Sequence, residues 1–309
     1  MPTPEPPWRE VLRRCANGEL SPAVASLRLL MAFGKLESIR SVLEQAEQDP
    51  AAKGAVAAIG EFLHGNAEGS AAVLRFLERE QIENQNTAPD ELERCRRLFD
   101  SLVADSPEAS VALYSFGNGD LLDAATGEVV GLLGRLGLLE EDREVLEIGC
   151  GIGRFQRALA PRVTAITGID IAPAMIATAR RRCAGLPNVH FTTTSGRDLS
   201  AFASGSFDLV LAVDSMPYLY WVGPDLVATH FCEVARVLRA GGDFLVLNVS
   251  YRGDLGRDRE DVGRFAGEAG LEVVRNGSAD LRLWDASTFH LRKPQPAGRA
   301  QPARRIMRP

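Results

Sequence analysis

The sequence predicts an α/β fold: a mainly parallel sheet with helices on both faces, preceded by an all-α N-terminal domain. Three features predict it. From Glu144 onward, short apolar runs alternate with helical patterns, as in strands joined by crossover helices. The first run, Val145-Leu146-Glu147-Ile148, opens into Gly149-Cys-Gly-Ile-Gly153, a G-x-G-x-G turn that leads into a helix. From Glu19 to about Asp105 the apolar residues instead recur at helical spacing.

Between Pro22 and Phe33, Val24, Leu27, Leu30 and Met31 share one helical face. Leu36, Ile39, Leu43 and Ala46 keep the same period, as do Val56, Ile59 and Leu63, then Val73, Phe76 and Leu77. Gly34, Asp49-Pro50, Gly65-Asn66 and the polar run Glu83 to Pro89 divide these helices. A further helix fits Asp90 to Val103, with Leu92, Cys95, Leu98, Phe99 and Leu102 facing inward. Residues 1–105 therefore read as a helical domain. Residues 106–139 connect it to the sheet: a turn-rich segment carrying Tyr114 and Phe116, either a lid over a ligand or a plain linker, then a helix from about Leu121 to Gly137. The sheet domain occupies 140–292. After the first strand, the expected strands are 163–169, 189–192, 207–213, 243–249, 271–275 and 288–291, with helices at 173–183, 225–238 and 258–269. Such sheets bind ligands at the carboxyl ends of their strands, near the switch point of strand order.

Composition bounds the function. A chain of 309 residues suits about two domains. No apolar run approaches the ~20 residues of a membrane span. The net charge of −6 argues against a broad nucleic-acid face. Met1 to Trp8 lacks the basic and apolar regions of a signal peptide. Cys15, Cys95, Cys150, Cys183 and Cys232 are scattered without a C-x-x-C pair, which suits reduced thiols in a cytoplasm, and no metal site is expected. Residues 293–309 are basic and proline-rich (Lys293, Arg299, Arg304, Arg305, Arg308) and read as a disordered solubilising tail, with a binding arm as the alternative.

The second strand ends in Gly168-Ile169-Asp170. An acidic residue about 20 positions after a glycine turn can accept hydrogen bonds from ribose hydroxyls. Helix capping is the other role open to Asp170, because Pro173 marks a helix start. Turn and aspartate together point to an adenosine-containing ligand. The turn lacks the lysine of a phosphate-binding P-loop, and a G-x-G-x-x-G dinucleotide turn would need glycine where Arg154 stands. Glu147, two residues before the turn, suits a ligand with an ammonium group and no phosphate. S-adenosylmethionine is such a ligand.

The ordered segments E-I-G-C-G-I-G-R-F, G-I-D-I-A-P-A-M-I-A-T-A-R, S-F-D-L-V-L-A-V-D-S and E-V-A-R-V-L-R-A-G-G resemble the motifs of class I S-adenosylmethionine-dependent methyltransferases, closest to the small-molecule branch. The resemblance covers about residues 140–292. It implies a Rossmann-like seven-stranded sheet whose last strand is antiparallel, with 283–291 suitably placed. It also implies cofactor contacts. Gly149, Gly151 and Gly153 would line the methionine part, with Glu147 close by; apart from the resemblance, Tyr114 becomes a cofactor contact if the joining segment is a lid and not a plain linker. Asp170 would hold the ribose, with Ile171 and Met175 beside the adenine. Arg197 and Asp198, in Ser195 to Leu199, belong to the adenine-edge segment, and Val213 and Asp214 would sit beside the sulfonium and the acceptor.

Methyl transfer by in-line displacement rests mainly on positioning, and a base matters only where the acceptor must lose a proton. Candidates are Asp214, Tyr218, Tyr251 and His230, with Tyr220 a further choice. Asp214-Ser-Met-Pro-Tyr218 is superficially similar to the [DN]-P-P-[YF] loop of amide and adenine methyltransferases, but it has one extra residue and a single proline, so that chemistry is not carried over. Arg252 suits either an acceptor carboxylate or a salt bridge. The expected acceptor is a small molecule held partly by the helical domain. A protein or carrier-bound substrate, a homodimer or protein partner through that domain, and a cofactor-binding scaffold without turnover stay open.

Overall fold

The computed structural model describes residues 6–85 and 90–295. The stretch 86–89, within the polar break, and 296–309, most of the basic tail, lie outside the described residues. Helices α1 (Pro7–Ala16), α2 (Pro22–Phe33), α3 (Leu36–Ala46), α4 (Lys53–Gly65), α5 (Ala67–Gln85) and α6 (Glu91–Asp105) come first. Their ends follow local chemistry. Ser21 caps α2 by accepting the Val24 N–H, and Gly34 ends it in the left-handed region. Asp90 caps α6 through the Glu93 N–H at 2.9 Å. Helix α1 was not expected. Its prolines fall at the first turn, where they favour a helix start.

The joining segment forms α7 (Pro107–Val111), a 3-10 turn (Leu113–Ser115) and α8 (Gly119–Arg135). It is a buried strap. Tyr114 and Phe116 are each 3% exposed, and Phe116 packs edge-on to Phe62 of α4 at 4.9 Å.

Next come β1 (Glu144–Ile148), α9 (Arg154–Leu159), β2 (Ala165–Asp170), α10 (Pro173–Arg182), β3 (Val189–Thr193), β4 (Phe207–Val213), α11 (Met216–Val222), α12 (Pro224–Val237), β5 (Leu238–Leu247), α13 (Leu255–Ala269), β6 (Glu272–Ala279) and β7 (Ser287–Arg292). The sheet has seven strands in the order β3-β2-β1-β4-β5-β7-β6, with β7 antiparallel to both neighbours. The expected mixed sheet is therefore the observed one. Strand β5 begins earlier than expected, running through Gly241 and Gly242, and α11 is a helix for which no element was expected.

Order reverses between β1 and β4, and both are parallel to β2 and β5. The carboxyl ends of β1, β2, β4 and β5 thus bring Gly149, Asp170, Asp214 and Asn248 to one edge. Alternation along β4 serves two cores. Leu209, Leu211 and Val213 join a cluster with α8, the strap and the N-terminal helices, whereas Val210 and Ala212 pack with residues of α12 and α13. The N-terminal helices share a core with one face of the sheet. Helix α6 goes further: the Asp100 carboxylate accepts the Ala174 N–H at 2.9 Å and caps the first turn of α10.

Candidate functional site

The glycine turn is shaped by both backbone conformation and close approach. Gly149 and Gly151 have φ of 74° and 51°, and a Cβ on them would stand 2.4 Å from Ser215 Cβ and from Val111 Cγ1, respectively. Gly151 N–H donates to Asp170 Oδ2 at 2.9 Å, and Ala172 N–H donates to Oδ1 at 2.9 Å. Asp170 therefore secures the turn and starts the approach to α10 at once. Burial pushes its pKa up to about 6, against the lowering effect of those N–H donors.

Glu147, fully buried in β1, accepts a hydrogen bond from Gln156 Nε2 at 2.7 Å. Burial pushes its pKa up to about 8, despite Gln156 and the Arg154 charge. At pH 7 it is mostly a neutral acid. Helix α9 has only six residues, so its N-terminus adds little field.

A cavity of about 770 Å³ opens over this edge. Glu147, Gly149, Gly151, Asp170, Ile171, Met175, Asp198, Val213 and Tyr114 line it, which brings together most of the residues expected at a cofactor. Two stand elsewhere. Gly153 lies behind the turn against Ala179 and Phe191. Arg197 is exposed and pairs with Asp90, because the chain turns outward after Gly196 in the left-handed region. The same cavity is also walled by Phe76, Leu77 and Phe99 of α5 and α6, Trp221 of α11, and Trp284, an aromatic chamber in which Phe99 and Trp221 flank Tyr218. The sequence did not single out these walls, since only tertiary packing turns the helices toward the sheet edge.

Asp214 sits between the two halves. It and Asn248 occupy the left-handed region at adjacent strand ends, with φ of 60° and 61°. Asn248 Nδ2 donates to Asp214 Oδ1 at 3.1 Å, while Asn248 Oδ1 accepts the Ser287 N–H at 3.1 Å, which fixes the amide's orientation. The Tyr251 hydroxyl interacts with both the Asp214 carboxylate and the Tyr218 hydroxyl. Tyr218 packs edge-on against Phe99, Trp221 and Tyr251. Burial raises the pKa of Asp214 and of Tyr218, whereas Tyr251 is 48% exposed. Asp214, Tyr218 and Tyr251 thus form one group.

His230 lines the same cavity but is held apart from that group. Its Nδ1 meets the Leu226 carbonyl at 2.9 Å, its charged neighbours are Asp198 and Glu233, and burial lowers its pKa. Arg252 is committed to Asp258 and Asp261 at 2.7 and 2.6 Å, and its Nη1 donates to the Tyr220 hydroxyl. The salt-bridge reading of Arg252 is the observed one. Arg154, which lines the cavity, was missed: nothing about an arginine opening a helix foretells its burial.

Residues 145–242 match the family described as a methyltransferase domain. The demethylmenaquinone methyltransferase of Tropheryma whipplei is 37% identical over 108 residues, 35% of this chain and 42% of that protein. The 2-methyl-6-phytyl-1,4-hydroquinone methyltransferase of Synechocystis is 34% identical over 122 residues, 39% of this chain and 36% of that protein. The chain thus spans about two fifths of the length of these curated relatives. Magnesium protoporphyrin IX methyltransferase from Synechocystis superposes with a TM-score of 0.52 at 18% identity, over 67% of this chain and 99% of that one. Sheet order, glycine turn and matched segment agree: residues 145–242 are similar to the methyltransferase domain family, in a chain with the fold of class I S-adenosylmethionine-dependent methyltransferases.

Proposed function

We propose that the protein is an S-adenosylmethionine-dependent methyltransferase acting on a planar, largely apolar small molecule with a hydroxyl or an activated ring carbon. The observation that carries this reading is the continuity of the cavity, from the glycine turn and Asp170, past Asp214, into an aromatic chamber. Its volume suits a small-molecule site with room for two ligands. S-adenosylmethionine, when bound, supplies a methyl group already activated on sulfonium. Gly149 and Gly151, free of side chains, let a ligand approach the backbone, and Asp170 offers its remaining lone pairs to ribose hydroxyls. Tyr114, Met175 and Ile171 keep water from the site. Asp214, steadied by Asn248 and Tyr251, is within the wall an acceptor hydroxyl would face and can take its proton.

The chamber's chemistry supports a neutral, ring-bearing acceptor. On that side Arg14 pairs with Glu19 and Arg28 with Asp285, so neither is free for an acceptor anion. The names of two relatives, demethylmenaquinone methyltransferase and 2-methyl-6-phytyl-1,4-hydroquinone methyltransferase, support the same kind of ring. No helix among the described residues is long and apolar enough to cross a membrane, and the five cysteines are unpaired, which supports a reducing, cytoplasmic setting. Calorimetry tests the cofactor: S-adenosylhomocysteine should bind and NAD should not. A panel of hydroxylated aromatics with isotope-labelled cofactor tests the acceptor. A folded protein that ignores S-adenosylhomocysteine would end this reading.

A further inference from the structure

Helix α5 carries an acid where its own pattern calls for an apolar residue. Val73, Phe76 and Leu77 form its inward stripe, and Glu80 continues that face, one turn further along. Phe76, Leu77 and Glu80 accordingly line the cavity together. Val73 and Phe76 are buried, whereas Glu80 is half-buried. Among the described residues its carboxyl has neither a hydrogen-bond donor nor an ion-pair partner. The neighbouring Arg79 is committed elsewhere, to Asp105 at 2.7 Å and to the Ser101 carbonyl at 3.3 Å. Burial raises the pKa of Glu80, and no donor opposes that effect. Such a group costs free energy until a ligand donor completes it. Placement ties Glu80 to the reacting end of the site. After burial itself, the charges of Asp214 and of Glu80 raise the pKa of the Tyr218 hydroxyl, so both acids stand near it. Tyr218 packs between Phe99 and Trp221, at 4.8 and 4.9 Å. The chamber thus offers a flat ring aromatic walls and two separate carboxyls, one at the end of β4 and one from the helical layer.

We propose that Glu80 is a specificity residue for the methyl acceptor: it accepts a hydrogen bond from a second hydroxyl on the ring, apart from the atom that faces Asp214. The inference rests on the small-molecule methyltransferase reading and narrows its acceptor to rings bearing two hydroxyls. An acceptor anion would be repelled by Glu80, and an acceptor cation would share the cavity with the sulfonium charge. A hydroxyl avoids both penalties and makes a short, charge-assisted bond to a carboxylate. Because Glu80 belongs to α5, the choice of acceptor is made by a helix outside the matched residues 145–242.

The test compares 1-naphthol with a set of naphthalenediols that differ in the position of the second hydroxyl. Methylation is followed with isotope-labelled S-adenosylmethionine, and acceptor binding by calorimetry in the presence of S-adenosylhomocysteine. The wild type should favour at least one diol over 1-naphthol by roughly 10- to 100-fold, in kcat/KM or in Kd, as for a charge-assisted hydrogen bond. Glu80→Leu should erase that preference by weakening the diol alone. Glu80→Gln keeps an acceptor oxygen and should fall between. A merely structural glutamate would shift both compounds in parallel. Glu80→Leu extends the apolar stripe, so it should keep the wild-type melting temperature and bind S-adenosylhomocysteine within about twofold. If it does not fold, the ratio measured for Glu80→Gln decides. A wild type without diol preference, a preference that survives substitution of Glu80, or an aminonaphthol favoured over every diol would overturn the inference. None of these outcomes touches the methyltransferase reading, which falls if the wild type does not bind S-adenosylhomocysteine.

Discussion

The Asp170 carboxylate accepts the Gly151 N–H at 2.9 Å, so the end of β2 and the glycine turn after β1 form one hydrogen-bonded unit. A ligand held by Asp170 is therefore held by a residue that also shapes the turn. Asp170→Ala should weaken S-adenosylhomocysteine by on the order of 2–4 kcal/mol and lower stability by about 1–3 kcal/mol, because two loop N–H groups lose their acceptor. Calorimetry and urea denaturation measure the two effects. Unchanged affinity in a folded variant would remove Asp170 from the cofactor site.

Glu147 sets a pH dependence. Its folded pKa, about 8, lies above the ordinary 4.5. The folded chain keeps a proton between those values that the unfolded chain sheds. Stability from this group is full below about pH 4.5 and is lost as pH rises to about 8, by up to about 4 kcal/mol. Asp170 contributes the same sign only up to about pH 6. Urea midpoints at pH 6, 7 and 8 should therefore decline in the wild type and stay nearly level in Glu147→Gln. If Glu147 faces the cofactor's ammonium, affinity should run the other way, rising over that range as the carboxylate becomes ionised.

At Asp214, substitution separates chemistry from binding. Asp214→Asn keeps the shape and the partner groups but not the proton acceptor. For an acceptor hydroxyl it should lower kcat by roughly 10²- to 10⁴-fold, with S-adenosylhomocysteine affinity within about threefold. Tyr251→Phe should have a smaller effect and shift the pH–rate profile. A variant as active as the wild type across that profile would exclude Asp214 as the base.

Gly151→Ala combines a backbone penalty with a collision, since the new Cβ would stand 2.4 Å from Val111 Cγ1 at a φ of 51°. It should cost about 1–3 kcal/mol and most of the cofactor affinity. Adding Val111→Ala should restore the part due to collision, leaving the conformational part. Differential scanning calorimetry on the single and double variants checks the split.

Much of the sheet was legible because each strand is a short apolar run bounded by turn residues, and β4 was read with its observed ends, Phe207–Val213. The turn and Asp170 were legible because they lie close in sequence and their spacing carries meaning. Distant relationships were not. Asp214 draws its setting from Asn248 and Tyr251, more than thirty residues away, and the burial of Arg154 depends on Tyr114 and the strap above it. The segment around Tyr114, read as either a lid or a plain linker, is a buried strap whose Tyr114 lines the cavity; the sequence left the choice open because aromatic residues among turn formers read alike in a loop and in a core. Tyr114→Ala should accordingly lower stability by about 3–5 kcal/mol, visible as a reduced melting temperature.

Helix α10 receives its cap from Asp100, a residue of α6 in the stretch read as a separate domain. The part that resembles methyltransferases is thus not an interchangeable cassette. Trimming away residues 1–105 would uncover Tyr114 and Phe116, leave the Ala174 N–H without its acceptor and dismantle the chamber wall. The sheet edge that carries the glycine turn and the helices that wall the cavity must be inherited, expressed and engineered as one piece.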